Sequence, residues 1–305
     1  MVTLEEQEIT TEVTLSDREA AMLDMHSFLN ILNVLIAEYF SLQSLLDDET
    51  AFDESKAKVY GVADMLEKPG QAAKVCQLLR DELPRLNKEL DQYTSACFDH
   101  ESRREILQLL QNLRSVYEVL DVRLGEYIDR LSNGPRWITM EIAQLEKNFV
   151  QVLSAIQTNS KGRYRISADG SSNGRHDYRV DLRIESVLGD TIYMPGVAQD
   201  ILRDLIANAR KYSAPGTLIR ASMTGKSASL ELAVADEGIG IPAKELSHVV
   251  HFGKRASNVP QLRHRGGGFG LTKAYVMTRS MGGRFWIASE QGHGTRIRIS
   301  LPLPQ

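Results

Sequence analysis

The chain has 305 residues, 42% hydrophobic and 25% charged, with a formal net charge of −4. These values are typical of a globular protein with room for two domains, and the mild negative charge argues against nucleic-acid binding. No run of about 18 apolar residues occurs, and the amino terminus MVTLEEQEIT lacks the basic and then apolar order of a signal peptide. We therefore expect a cytoplasmic protein without a membrane span. Cys76 and Cys97 lack metal-ligand spacing and should be buried free thiols.

Before residue 160, apolar residues recur at alternating spacings of three and four, which is typical of helices packed lengthwise. The segments with this pattern are 16–46, 71–97, 106–131 and 138–156. Ser16 and Glu19 form a capping box for the first, and the turn SNGP predicts that the last two pair as an antiparallel hairpin. We expect residues 1–160 to form all-α helical hairpins, arranged as a four-helix bundle within one chain or by dimerisation.

After residue 160, the pattern changes to the alternation of apolar and polar residues that is typical of strands. The segments are YRVDLRIE, TLIRASMT, SASLELAVA, GRFWIAS and TRIRISLPL. Helical patterns lie between them at about 196–212 and 271–281. We expect residues 161–305 to form one sheet with helices on one face, an α/β sandwich, which makes the whole chain α+β.

The stretch RHRGGGFG, which contains Gly266, Gly268 and Gly270, precedes one of these helices. It does not follow a strand, as a dinucleotide-binding loop does, and it lacks the Gly-Lys-Ser/Thr of a Walker loop. A glycine loop before a helix can still bring free backbone N–H groups to a phosphate. Taken alone, a purely structural glycine loop explains the stretch equally well.

Four further motifs surround this stretch, namely DLIANARKYS, DEGIGIP, HFGKRAS and QGHGT. In chain order, the five motifs resemble the N box and the first glycine, F, second glycine and third glycine boxes of the sensor histidine kinase catalytic domain. That domain has a Bergerat-type ATP-binding fold shared with gyrase and MutL. The resemblance covers nearly all of 196–304, and it implies a protein-histidine kinase of the two-component type that uses ATP and Mg²⁺.

The chemistry of the residues and the resemblance together assign the expected nucleotide contacts. The carboxylate of Asp236 can accept the adenine amino hydrogen, and Gly238 and Gly240 let the backbone approach the base closely. Asn208 offers an amide oxygen suited to Mg²⁺. The resemblance adds Lys211, Tyr212, Lys254, Arg255, Leu271 and Thr295. Taken alone, Asp236 is typical of a turn, and the pair Lys254 and Arg255 of solvated surface.

Asp204 lies one helical turn before Asn208 on the same helix face. In the ATPase branches of this fold, a carboxylate at that position activates water. We therefore expect Asp204 to orient a water on the metal or to assist proton transfer.

The helical half offers two candidate phosphate acceptors. His26, in MHSFLNILNVL, resembles the H box pattern H-x-x-x-N-x-L-N and shares a narrow polar helix face with Asn30. A neutral imidazole there can attack a γ-phosphoryl group, and Asn30 is where phosphatase-competent kinases position a water. Ser27 follows His26 where many family members have an acidic residue. His100, in DHESRREIL, has the acidic neighbour but starts its helix, so we favour His26.

The resemblance also implies partners. Because the chain has no receiver-like segment, the phosphoryl group is expected to pass to the receiver domain of a separate response regulator. Because no sensor domain is recognisable, input is expected from an upstream sensor protein or from the helical half. We expect a homodimer, with a monomer carrying an intramolecular bundle as the alternative. A phosphatase or phosphotransfer protein, or a nucleotide-gated interaction module, is the alternative function.

Overall fold

The computed structural model describes residues 4–66, 68, 70–96, 102–133, 136–158, 165–167, 177–259 and 268–304. The chain divides into two compact units. One, here called the helical unit, is Ser16–Gly134. The other, the sandwich unit, combines Met1–Leu15 with Pro135–Gln305. The first residues of the chain therefore belong with the C-terminal half of the sequence.

In the described part of the chain, the helical unit has four helices. They are α1 (Asp17–Leu46), α2 (Asp53–Leu66), α3 (Ala72–Ala96) and α4 (Arg103–Asn133). Both α1 and α3 pack against α2 and α4, so the four helices enclose one apolar core. Inside it, the hydroxyls of Tyr39 and Tyr117 satisfy each other with a hydrogen bond of 2.5 Å. Four helices around one core are present within one chain, but α2 takes the place that the pattern gave to 138–156.

The start of α1 follows its predicted capping box. The backbone N–H of Glu19 donates to Ser16 Oγ (3.4 Å), and the backbone N–H of Ser16 donates to Glu19 Oε2 (2.9 Å). Both bonds satisfy N–H groups that a helix end leaves free. Among the described helices, none is long and apolar enough by itself to cross a membrane, although two parts of α1 that meet at 55°, Asp17–His26 and Ile31–Leu46, pass that test as a pair.

The described residues of the sandwich unit form a seven-stranded sheet in the order β1-β8-β9-β7-β6-β4-β3, and a two-stranded ladder of β2 and β5. The strands are β1 (Gln7–Glu8), β2 (Trp137–Glu141), β3 (Ile166–Ser167), β4 (Tyr178–Ser186), β5 (Thr191–Pro195), β6 (Leu218–Gly225), β7 (Ser229–Asp236), β8 (Arg284–Ser289) and β9 (Thr295–Pro302). The helices are α5 (Ile142–Thr158), α6 (Val197–Tyr212) and α7 (Gly270–Ser280). Every strand and helix predicted after residue 160 is confirmed.

One face of the large sheet is apolar and the other is polar, as strand alternation requires. Along β9, Ile297 and Ile299 are buried, whereas Arg298 between them lies on the opposite face, 3.7 Å from the ring of Trp286. The apolar face shares a core with α5, α6 and α7. This arrangement confirms the α/β sandwich.

One helix was not predicted, and one helical prediction is wrong. The chain forms α2 at residues 53–66, which the pattern does not predict, and the predicted helix at 138–156 begins as strand β2. Leu145 and Phe149 of α5 are buried in the core of the sandwich unit, so α5 does not form the predicted hairpin with the helix before it. Helical spacing shows that a helix is amphipathic, but not whether its apolar face meets helices or a sheet.

Candidate nucleotide-binding site

The sandwich unit contains an open pocket whose free space, counted with the solvent at its mouth, is about 780 Å³. Residues from α6, β7, β9 and the start of α7 line it. The predicted nucleotide-contacting residues among them are Asn208, Tyr212, Asp236, Gly240, Lys254, Arg255, Gly268, Gly270, Leu271 and Thr295. The fold thus collects residues from all five motifs around one cavity.

Asp236 ends β7 and contributes a carboxylate to this pocket. Burial raises the pKa of Asp236 to about 6, although hydrogen bonds from the backbone of Gly238 and Thr295 and from the Ser213 side chain oppose the rise. The Gly238 bond measures 2.8 Å between the backbone nitrogen and Asp236 Oδ1. A carboxylate held this way in an apolar pocket is a strong acceptor for an amino group of a ligand.

The glycines of DEGIGIP and QGHGT allow two loops to pack backbone against backbone. Gly240 has φ +64°, and a Cβ there would overlap the backbone oxygen of Glu290. Gly294 has φ +88°, and a Cβ there would overlap the backbone oxygen of Asp236. At Gly238, a Cβ would lie 2.6 Å from the backbone oxygen of Tyr212. The close approach that these glycines permit is to the protein's own backbone.

Ser289, in β8, is a functional candidate that the sequence reasoning missed. Its Oγ donates to the Gly294 carbonyl (2.7 Å), accepts from the Ile241 backbone N–H (2.8 Å) and lies 2.9 Å from Thr295 Oγ1. Since the only hydroxyl hydrogen of Ser289 goes to Gly294, Thr295 must donate to Ser289. Thr295 is therefore left with acceptor lone pairs for a ligand. The sequence pattern does not show this link, because it depends on the pairing of Ser289 with Thr295 across β8 and β9.

Cationic side chains gather near the same pocket. Lys254 and Arg255 line it, whereas Lys211 is not among its described lining residues. Burial and the neighbouring charges of Arg255 and Arg210 lower the pKa of Lys211. Lys211 therefore lies close to both arginines. Burial raises the pKa of Tyr212, and Lys211 Nζ lies 5.2 Å from the centre of its ring. Such a concentration of positive charge attracts an anionic ligand.

Asn208 meets the start of α7 at this pocket. A Cβ at Gly270 would lie 2.9 Å from Asn208 Nδ2, so the amide rests directly against the first residue of the helix. The first N–H groups of a helix have no partner within the helix and can bind phosphate oxygens. Within the described residues, no group of three or more His, Cys, Asp or Glu could hold a metal. Mg²⁺ commonly takes one or two protein ligands together with phosphates, and an Asn208 oxygen fits that need.

Asp204 is held by a residue that the sequence reasoning missed. Its Oδ2 lies 3.3 Å from Nζ of Lys273 in α7, and the Lys273 side chain is only 2% exposed. Asp204 itself is not among the described residues that line the pocket.

The remaining predicted residues lie in other parts of the chain. His26 lies in α1 and is half-buried. Cys76 is a buried free thiol, as predicted. Four predicted features lie outside the described residues: the side chain of Asn30, together with Cys97, His100 and Gly266.

Comparisons with known proteins find relatives for part of the sandwich unit. Residues 196–305 match the family model of histidine kinase-, DNA gyrase B-, and HSP90-like ATPases. The chain is 32% identical over 124 residues to the adaptive-response sensory kinase SasA of Synechococcus elongatus, and 36% identical over 104 residues to the sensor histidine kinase WalK of Bacillus subtilis. These matches cover 39% and 33% of this chain, but the chain spans only 32% and 17% of those proteins. The catalytic domain of the histidine kinase ThkA matches 55% of this chain and 95% of its own, with 12% identity and a TM-score of 0.38.

Fold, pocket and family model define the class: residues 196–305 are an ATP-binding domain of the kind found in histidine kinases, DNA gyrase B and HSP90. Within that class, the relatives SasA and WalK are named as a sensory kinase and a sensor histidine kinase, the kind of protein that the motif order of this chain resembles.

Proposed function

We propose that the protein is an ATP-dependent protein-histidine kinase of the two-component type. The observation that carries this proposal is the order of two polar groups that lie on or beside α6 in the pocket. Near its C-terminal end, the Tyr212 carbonyl and the Asp236 carboxylate both lie against Gly238, and the carboxylate suits an adenine amino group. About one turn earlier along the helix, Asn208 rests against the start of α7. A nucleoside triphosphate, with a base at one end and a polyanion at the other, matches that order.

The contacts of the pocket support a role for each residue. Asp236 accepts from the adenine amino group, and Thr295 offers its free lone pairs beside it. Lys211, Lys254 and Arg255 bind the phosphates by charge, and Tyr212 lines the nucleotide site. Mg²⁺, when bound, would neutralise negative charge on the phosphates. Asn208 is the proposed protein ligand for that ion.

The proposed acceptor is His26. A neutral ring nitrogen of His26 forms a bond to the γ-phosphorus, the bond from phosphorus to the β,γ-bridging oxygen breaks, and ADP leaves. The same phosphoryl group then passes from the imidazole to an aspartate carboxylate on the receiver domain of a response regulator. Asn30 is proposed to position a water that hydrolyses the aspartyl phosphate of the response regulator.

We also propose how the chain assembles and where it acts. The helical core that α1 to α4 enclose within one chain supports the monomeric alternative over the expected homodimer. Sedimentation at concentrations around those used for activity assays distinguishes a 34.1 kDa species from one of twice that mass. Use of ATP implies a cytoplasmic location, and an upstream sensor protein is the proposed source of the signal.

Labelling with radioactive ATP and Mg²⁺ tests the proposal. We expect acid-labile, base-stable label that disappears in His26→Ala and persists in His293→Ala, a change at an exposed histidine of the sandwich unit. Label that persists in His26→Ala but disappears in His100→Ala would show that the acceptor is wrong.

Nucleotide binding without any label would favour the interaction-module or phosphotransfer alternatives. Unchanged Mg-ATP binding in Asn208→Ala would contradict the assignment of the site itself.

A further inference from the structure

Helices α6 and α7 meet at two neighbouring pairs of residues. Asp204 Oδ2 lies 3.3 Å from Lys273 Nζ, and Asn208 Nδ2 rests against Gly270. Moving four residues forward along α6 corresponds to moving three residues back along α7. The two helices therefore run antiparallel, and the second pair lies about one turn from the first.

Lys273 occupies a place in α7 where an apolar side chain would be expected. Its neighbours Thr272 and Ala274 are both fully buried, and the Lys273 side chain is 2% exposed, whereas that of Asp204 is 20% exposed. Burying an ammonium group is costly unless a carboxylate or hydrogen bonds compensate it. Two apolar residues of similar volume would usually stabilise such a contact at least as well. Stability alone is therefore a weak reason for an ion pair at this contact.

We propose that Lys273 is a positioning residue of the nucleotide site. Its ion pair with Asp204 sets the register of α6 against α7, because a charged pair tolerates displacement less well than two apolar surfaces do. That register holds Asn208 at the first turn of α7, where the phosphates and Mg²⁺ of the proposed function would bind. On this account, Asp204 acts as the charge partner of Lys273, and its carboxylate is not a free base.

The pair also controls the charge that an incoming polyanion meets. Asp204 and Lys273 together carry no net charge one turn from Asn208. Without Lys273, the Asp204 carboxylate would repel phosphates through a medium that screens less than bulk water. The proposal rests on the proposed function for the identity of the ligand, but not on His26 or on phosphoryl transfer.

Binding of a fluorescent ATP analogue, with Mg²⁺ and with EDTA, tests the proposal in the full-length protein. The ratio of the two affinities reports the Mg²⁺-dependent part of binding, and the melting temperature without nucleotide reports stability. The variants are Lys273→Met, Asp204→Asn and the double change. The control is Lys226→Met, which removes a lysine from an exposed pair with Glu231 in the same unit.

Lys273→Met should weaken Mg-nucleotide binding at least tenfold and lower the melting temperature, because it leaves a carboxylate uncompensated. The double variant should recover the melting temperature, because no unpaired charge remains, yet its Mg²⁺ enhancement should stay several-fold below that of the wild type. Lys226→Met should change neither quantity.

Two outcomes would overturn the proposal. Recovery of the full Mg²⁺ enhancement in the double variant would show that the pair is merely structural. A loss of Mg²⁺ enhancement in Asp204→Asn, with none in Lys273→Met, would show that Asp204 acts by itself. Absence of Mg-nucleotide binding in the wild type would instead contradict the proposed function and remove the ligand on which the inference depends.

Discussion

The hydroxyl of Tyr275 in α7 donates a 2.6 Å hydrogen bond to the backbone carbonyl of Thr11, 264 residues earlier in the chain. The same hydroxyl lies 3.3 Å from the carbonyl of Ile9, whose N–H donates to Phe285 of β8 at 2.9 Å. Ile9 is fully buried in the core of the sandwich unit. The segment before α1 is thus an integral part of the unit that contains the nucleotide pocket.

Ile9→Ala should lower the free energy of unfolding of the sandwich unit by about 2 to 4 kcal/mol, the usual cost of removing a fully buried branched side chain. Backbone hydrogen exchange along β8 should accelerate, because β8 loses its packed edge partner. Thr10→Ala, at the exposed neighbour, is the control and should change neither quantity appreciably. Equal effects of the two changes would show that the segment is not anchored through Ile9.

Gly240→Ala should destabilise the sandwich unit far more than Gly189→Ala. Both glycines have positive φ, +64° and +78°, so each alanine carries a backbone penalty of about 1 to 2 kcal/mol. At Gly189 nothing lies within 4 Å of the added carbon, whereas at Gly240 the carbon would overlap the backbone of Glu290. We expect a loss above about 4 kcal/mol for Gly240→Ala, measured by urea unfolding. Similar losses at the two positions would contradict the close approach of the loops.

Ser289→Ala should weaken nucleotide binding although Ser289 is not among the described residues that line the pocket. The change leaves the Ile241 N–H and the Gly294 carbonyl without their partner, at a cost of about 1 to 3 kcal/mol. It also frees the Thr295 hydroxyl to rotate. Calorimetric titration with a non-hydrolysable ATP analogue measures the loss. Ser280→Ala, which removes an exposed hydroxyl bonded only to the Met277 carbonyl in the described structure, should bind normally.

The features that sequence reasoning predicted correctly are those set by local pattern. The alternation along 217–224 and 295–303 arises because one sheet face is buried, so the strands could be located without knowing their partners. Asp236 and Asn208 were chosen as candidate site residues because their neighbours repeat a known motif order. Both line the pocket that the structure contains.

The features that it missed depend on partners distant in the chain. Strand β1 has only two residues and no periodicity, and it exists because β8 offers an edge. Ser289 and Lys273 gain their roles from strand register and helix packing, which single-sequence patterns do not contain. The helical spacing at 138–156 indicated an amphipathic surface, but only the fold could show that a sheet covers it.

Asp236→Asn should separate stability from binding. The folded-state pKa of Asp236 is raised to about 6 by burial, against about 3.9 in an unfolded chain. The neutral acid therefore makes its full contribution to the free energy of unfolding below pH 4. That contribution is lost as the pH rises through 6, and the loss is about 3 kcal/mol in all. The nucleotide-free Asn variant should exceed the wild type in melting temperature at pH 8, with a smaller gap at pH 5, yet bind ATP at least tenfold more weakly. Asp190→Asn, at an exposed aspartate, is the control and should show no such difference in melting temperature. A difference between Asp236→Asn and the wild type that does not depend on pH would contradict the burial of the Asp236 carboxylate.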